Sequence, residues 1–174
     1  MKKFELTEET KVVFGVTLHR IKALVDFTLK CGIKVTAGEF GGWVEKEENL
    51  DQSGDAWVSG SAMVSGSARV YGDARVYGDA RVYGDAMVSG DAMVSGDARV
   101  YGMNHYLCVG PMGSRMAFTT FFRTKNLEIF VSCGCFLGSL EAFREKVKET
   151  HGDNTHAKAY LLAADLAEIQ IDLT

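Results

Sequence analysis

The residues best suited to chemistry lie towards the C-terminal end of this chain. Cys133-Gly-Cys135 is followed by His151 and His156, and two thiolates with two imidazoles form a set that holds zinc tetrahedrally. The Cys-x-Cys spacing is tighter than that of the common zinc knuckle. Leu127, Ile129, Val131, Cys133 and Cys135 also fall on one face of a strand, so the thiols are expected to be small core residues without a metal, with zinc as the alternative. A second set is polar. Ser114, Arg115, Thr119, Thr120 and Arg123 accompany the strands, and His151, Asp153, Asn154, His156 and Lys158 surround a helix break. A helix N-terminus offers free N–H groups and the positive end of a dipole, which attract phosphate or carboxylate. Arg115 and Arg123 are suited to clamp such a group bidentately. His151 and Asp153 have the types for acid–base work, but no nucleophile pairs with them. The set points to a small anionic ligand and to no catalytic residue or cofactor; an exposed loop with capping Asp and Asn is the plain alternative.

These residues need a module to position them. "HYLCVG" reads as a strand, "PMGS" as a turn, "RMAFTTFFRT" as a second strand and "LEIFVSCGCF" as a third. Ser139 is placed to cap a helix from Leu140 to about Thr150, with Leu140, Phe143 and Val147 at helical spacing. "HGDN" breaks it, and Asp153 or Asn154 caps a second helix over about 155–168. Residues 103–174 are thus expected to form a β-β-β-α-α unit.

Before them stands a repeat. From Gly54 to Tyr101 the phrase Gly-Asp/Ser-Ala-X-Val-Z runs eight times without insertion. Ala and Val two apart lie on one face of a strand and on opposite faces of a helix, so the repeat is a strand with Ala and Val inward and X and Z outward. Gly-Asp is a turn signal, because Gly tolerates unusual φ and Asp bonds nearby backbone. A further, degenerate copy, "ENLDQS", is read with Leu50 in the Ala slot. Val44, twelve residues before Ala56, falls in the same register. The repeat resembles the hexapeptide-repeat family on its Val series and its Ala series. The resemblance implies a left-handed parallel β-helix with three hexads per coil, and an oligomer that is a trimer or a multiple of three. The fold class is mainly β: about 2.7–3 coils over 43–102, an N-terminal β cap over 1–42, and the C-terminal module over 103–174. A sandwich of short hairpins is the rival, and unbroken six-residue spacing leaves its loops no room to vary.

Residues 18 apart stack on one wall. The X columns are Trp57, Arg75, Met93; Met63, Arg81, Arg99; and Arg69, Met87. One wall shows two Arg-Tyr layers, Arg81, Tyr83, Arg99 and Tyr101, which suit a subunit interface. Near-identical copies make the outward positions interchangeable, which fits a spacer or a subunit contact and not a catalytic pocket. In the cap, "KVVFGVTLHRIKALVDFTLK" reads as one or two strands before Asp26, with Gly38, Gly41 and Gly42 as turns and the prism starting near Trp43.

The segments "HRIKALVDF…GEFGGWVEKEENL" and "GSR…TTFFRT…VSCGCF" are similar to proteins encoded by phages and prophages, a class that implies no assigned reaction. Many hexapeptide-repeat proteins are acyltransferases with a His in or beside the coils. Here no His lies between Gly54 and Gly102, and only His19 and His105 flank the prism. A net charge of -4 argues against nucleic-acid or membrane partners. The N-terminus has no apolar signal run, and four scattered cysteines suit reduced thiols, so a cytoplasmic setting (the host cytoplasm for a phage protein) is expected. The expected function is a non-enzymatic, oligomeric binding protein that sequesters a nucleotide-like anion such as a bacterial immune signal. An acyltransferase and a structural assembly protein are the alternatives.

Overall fold

The computed structural model describes residues 2–174. Its centre is a three-walled parallel β-solenoid. Each hexad gives one two-residue strand, β6 (Trp57–Val58) through β13 (Arg99–Val100), and strands 18 residues apart pair in parallel. Trp57 pairs with Arg75, Arg81 with both Met63 and Arg99, and Arg69 with Met87, as the column spacing requires. The Ala and Val of all eight hexads are fully buried in one continuous column. Each corner turns at a Gly in the left-handed region, φ 59–70°.

Between coils, the N–H groups at X and Z donate forward. Trp57 N–H reaches Ala74 O at 3.0 Å and Ser59 N–H reaches Val76 O at 2.9 Å. The first coil is therefore left with Ala carbonyls facing outward, and the last with N–H groups. Each rim is met by a cap of matching chemistry. At the first rim, the buried Lys3 ammonium donates to Gly54 O (3.1 Å) and Ala56 O (2.9 Å). Asn49 Nδ2 donates to Gly66 O (3.2 Å) and Ala68 O (2.8 Å). At the last rim, Thr120 Oγ1 accepts from Met93 N–H (3.0 Å), and His105 Nδ1 accepts from Tyr101 N–H (3.3 Å).

The N-terminal cap contains β1 (Phe4–Val13), β2 (Val16–Ala23), the short hairpin β3 (Phe27–Thr28) and β4 (Lys34–Val35), and β5 (Phe40–Val44). The β1–β2 hairpin adds to β5, and β5 joins the parallel ladder at Trp43. Three details differ from expectation. Val44 pairs with Val64 and Leu50 with Val70, so both occupy the Val slot, two residues from the Ala register. The surplus residues lie between Leu50 and Val58, where Gln52 is freed to bind the N-terminal strand: its Oε1 accepts from Lys3 N–H at 2.8 Å. Gly41 and Gly42 are strand residues and not turns; a Cβ on either would strike the Val58 side of the first coil. Trp57, outward by the repeat, is 2% exposed, because Phe27 packs on it edge-on at 5.3 Å and Phe4 at 6.5 Å.

After Gly102 a four-stranded antiparallel meander, β14 (Tyr106–Met112), β15 (Ala117–Arg123), β16 (Ile129–Cys133) and β17 (Phe136–Ser139), lies across the end of the solenoid. Helices α1 (Leu140–His151) and α2 (Thr155–Gln170) cover its other face. The strand alternation of β15 sends Phe122 into the solenoid core and Phe121 into the helix-side core. The strands-then-helices order is as expected, but "LEIFVSCGCF" folds into two strands around Gly134, φ +59°. Ser139 caps α1, accepting from Ala142 N–H, and Asn154 rather than Asp153 caps α2, accepting from Ala157 N–H. Among the described residues no helix is long and apolar enough to cross a membrane.

Two outcomes test this architecture. A Cβ at Gly84 would sit 2.5 Å from Tyr101 O, whereas at Gly90, with nearly the same φ, it meets nothing within 4 Å. Gly90→Ala is expected to cost only the left-handed penalty of about 1–2 kcal/mol, and Gly84→Ala to cost about 1–3 kcal/mol more through the clash; urea denaturation of the two variants measures the difference. The second outcome concerns His105. Burial first, and Arg123 next, push its imidazole below the ordinary value of 6.5. The unfolded chain then binds more protons than the folded one just below pH 6.5, so stability falls as pH drops through that window. His105→Gln keeps an acceptor that does not titrate, and is expected to flatten the slope of stability between about pH 5 and 6.5.

Candidate functional site

The polar residues singled out in the sequence separate into two places. Thr120 and Arg123 belong to the solenoid cap. Thr120 is buried and holds Met93 N–H, as above. The Arg123 guanidinium lies 4.8 Å over the Tyr101 ring, and its Nη2 donates to Thr174 O at 3.2 Å. Arg123 is thus fixed on the last coil and the chain end and not at the helix break, which corrects its expected pairing with Arg115. Alternation alone would put Arg123 on the helix side with Thr119 and Phe121. Instead the end of β15 is tied to the last coil, where Thr124 bridges Ala98 and Lys125 N–H donates to Asp97 O, and this brings Arg123 to Tyr101 and the chain end.

The other residues converge. The turn Gly113–Met116 joins β14 to β15 and carries exposed Ser114 and Arg115. It lies against the first half of α2, close enough that a Cβ at Gly113 would overlap the Tyr160 hydroxyl. Arg115 Nη1 comes within 3.9 Å of a Cβ position at Gly134, the tip of the β16–β17 hairpin. Tyr160 stands between these turns. Its ring stacks on His151 at 5.6 Å and meets Phe143 edge-on at 5.8 Å. Burial raises its phenol above the ordinary value of 10, the neighbouring Cys133 thiol raises it further, and Arg115 pulls it back. His151 and His156 face each other across the helix break with ring centroids 5.9 Å apart. Thr119, buried on the helix side of β15, donates to Cys133 Sγ at 3.2 Å. Asp153 and Lys158 lie exposed at the edge of this cluster.

Helical spacing explains why His156 and Tyr160 share a face, four residues apart, while the break at Gly152 brings the end of α1 back beside them. Tyr160 reads from sequence only as a core residue. Its position four residues after His156 is the signal of a second role.

The zinc set is not assembled in this way. Cys133 is half-buried beneath Thr119, while Cys135 is exposed on the far side of the hairpin turn. The turn breaks the strand face that the two thiols share in the sequence. Among the described residues no three His, Cys, Asp or Glu side chains gather as a ligand cluster.

Arg81, Tyr83, Arg99 and Tyr101 form one wall as expected, with Tyr83 and Tyr101 stacked at 5.1 Å. The tip of the β1–β2 hairpin overhangs this wall and encloses a groove of about 420 Å³ with Arg81, Tyr83 and Arg99. The Phe27–Val35 hairpin covers part of a second wall, where Cys31 Sγ accepts from Arg75 at 3.0 Å. The third wall, Arg69, Tyr71, Met87 and Ser89, carries neither hairpin. Neither flanking His sits in a cleft with a free base. His105 is consumed by the rim, and His19 Nδ1 lies 3.3 Å from Thr7 O.

No curated protein matches this chain. A family model described as the YdcK beta solenoid repeat matches residues 68–84 and 80–96, so the central hexads are similar to a known repeat of the architecture seen here.

Proposed function

We propose that this is a non-enzymatic binding protein for a small anionic ligand, held where the Gly113–Met116 turn meets the break between α1 and α2. One observation carries the reading: two polar segments distant in sequence converge on Tyr160, with Arg115 on one side and His151 and His156 on the other. Arg115 supplies charge and a planar fork of donors. The Tyr160 hydroxyl and the two imidazoles supply directional hydrogen bonds. Thr155 and His156 lie in the first turn of α2, whose dipole favours negative charge. A ligand with phosphate and a polar ring matches these groups, and a nucleotide-like signal is the class proposed. Sequestration of a bacterial immune signal by a phage-encoded protein in the host cytoplasm is the biological setting we infer from the similarity of both flanks to phage and prophage proteins. Four free cysteines are compatible with it. An oligomer, a trimer or a multiple of three, is proposed. The β1–β2 hairpin overhangs the wall of Arg81, Tyr83, Arg99 and Tyr101 expected to make the contact, so the wall of Arg69, Tyr71, Met87 and Ser89, which carries neither hairpin, is proposed in its place. The acyltransferase reading has less support, since both flanking His residues are engaged in contacts of the fold.

Calorimetry against ADP-ribose and cyclic dinucleotides tests the site. Wild-type protein is expected to bind at least one of them saturably, with the affinity reduced about tenfold or more by Arg115→Gln and by Tyr160→Phe. Arg123→Gln is expected to lower stability and leave affinity unchanged. Absence of binding heat with every nucleotide, or binding indifferent to Arg115, would overturn the reading.

A further inference from the structure

A second feature stands apart from that cluster. The turn of the β1–β2 hairpin is Phe14-Gly15, with φ +52° and +79°. Two-residue hairpin turns of this kind favour Asn or Asp at the first position, and a bulky residue there is an outlier. Phe14 is also 90% exposed. The chain therefore holds an aromatic ring in a strained conformation, in water, where Asn would be more comfortable. Strain of this kind gathers at working sites.

The exposed ring stands at the mouth of a groove. The hairpin runs past its last pair with β5 (His19 with Val44) and leans over the solenoid wall. Val13, Phe14, Val16 and Leu18 form one side of the groove; Met63, Arg81, Tyr83 and Arg99 line the other. Its volume of about 420 Å³ is in the range of small-molecule sites. The Arg81 guanidinium lies 5.3 Å over the Phe14 ring, and its Nε is buried without a partner. Arg99 lies one coil further along the same column. The arginine ion pairs among the described residues are made by Arg20 and Arg144; Arg81 and Arg99 make none. Arg99 instead donates to the carbonyls of Asp79 and Ala98. Burial and the nearby Arg81 charge lower its affinity for its own proton, while the corner carboxylates Asp79 and Asp97 oppose this from a distance. Two cations thus stand side by side in an apolar trough with no carboxylate in ion-pair contact among the described residues.

We propose that this groove is a second ligand site, for an amphipathic organic anion whose apolar body lies between Phe14, Leu18, Met63 and Tyr83 and whose carboxylate, sulfonate or phosphate head meets Arg81 and Arg99. The shape and the charge act together. An apolar trough alone would take any greasy molecule, whereas the paired guanidiniums select one with a negative end. The site shares no residue with the Arg115 cluster, so each stands or falls separately.

The probes are 1-anilinonaphthalene-8-sulfonate, an aromatic anion, and N-phenyl-1-naphthylamine, its neutral counterpart, both followed by fluorescence. The full chain is expected to bind the sulfonate saturably at one site per protomer. An Arg81→Gln, Arg99→Gln double variant should lose about tenfold or more in affinity for the sulfonate while keeping its affinity for the neutral amine. Phe14→Asn should weaken both probes and raise the melting temperature, since it removes a wall and relieves the turn; a merely structural Phe14 would not give that combination. Sulfonate affinity unchanged in the double variant would overturn the proposal. So would failure of the wild type to bind the sulfonate, with an oligomer seen by light scattering that the arginine substitutions dissociate, because the wall would then be a subunit contact.

Discussion

A short parallel solenoid depends on what meets its two open rims. Each coil donates forward to the next, so the hydrogen bonds inside the prism are complete by construction and those at its ends are not. With about three coils, the ends make up a large share of the whole. The rims also differ, with carbonyls prominent at the first and N–H groups at the last. The flanking segments answer this difference. Lys3 and Asn49 each donate two hydrogen bonds, and they bridge pairs of carbonyls. Thr120 and His105 are acceptors. Burying the Lys3 amine lowers its pKa to about 8, against nearby Asp51, Asp55 and Asp73, which hold it up. A lysine is suited to that place because its ammonium supplies several donors on a long stem, and its neutral form still donates.

The rims also explain which parts of the fold are legible in the sequence. The strand spacing, the columns and the buried Ala and Val series follow from one local rule, the 18-residue coil, and need no knowledge of the rest. The helix caps at Ser139 and Asn154 are likewise local. What the sequence hides is non-local. Val44 and Leu50 keep a six-residue interval from each other but enter the ladder two residues out of phase, because the rim needs Gln52 in position for the N-terminal strand. Trp57 carries an outward index and is buried, because Phe4 and Phe27 arrive from another element. Gly134 turns a chain whose alternation would otherwise run on.

The candidate anion site shows the same division. Its ingredients are visible as residue types, but the grouping is not. Arg115 and Arg123 are eight residues apart on connected elements, yet one joins Tyr160 and the helices while the other joins Tyr101 and the solenoid. The length of β15 separates them, since its first end turns beside α2 and its last end is tied to the final coil. Within the middle of β15 strand parity decides which core a residue serves, and at its end the attachment to the last coil overrides parity for Arg123. Thr119 and Thr120 are adjacent and make this explicit: one donates to Cys133 below the helices, the other accepts from Met93 on the prism.

Repetition has a further consequence. Arg69, Arg75 and Arg81 occupy the same place in three identical phrases, yet their surroundings differ. Six residues carry the chain one third of the way round, so each phrase faces a different wall. The cap then clothes the walls unequally. Arg75 lies 4.8 Å over Tyr77 and reaches Cys31 of the short hairpin. Arg81 lies under Phe14 in the groove. Arg69 is exposed on the wall without a hairpin. Identical residues acquire distinct roles because the prism distributes them and the unique segments select among them. Specificity in such a chain comes from the contact between the repeat and its caps, and both sites proposed for it lie where unique sequence sets the surroundings.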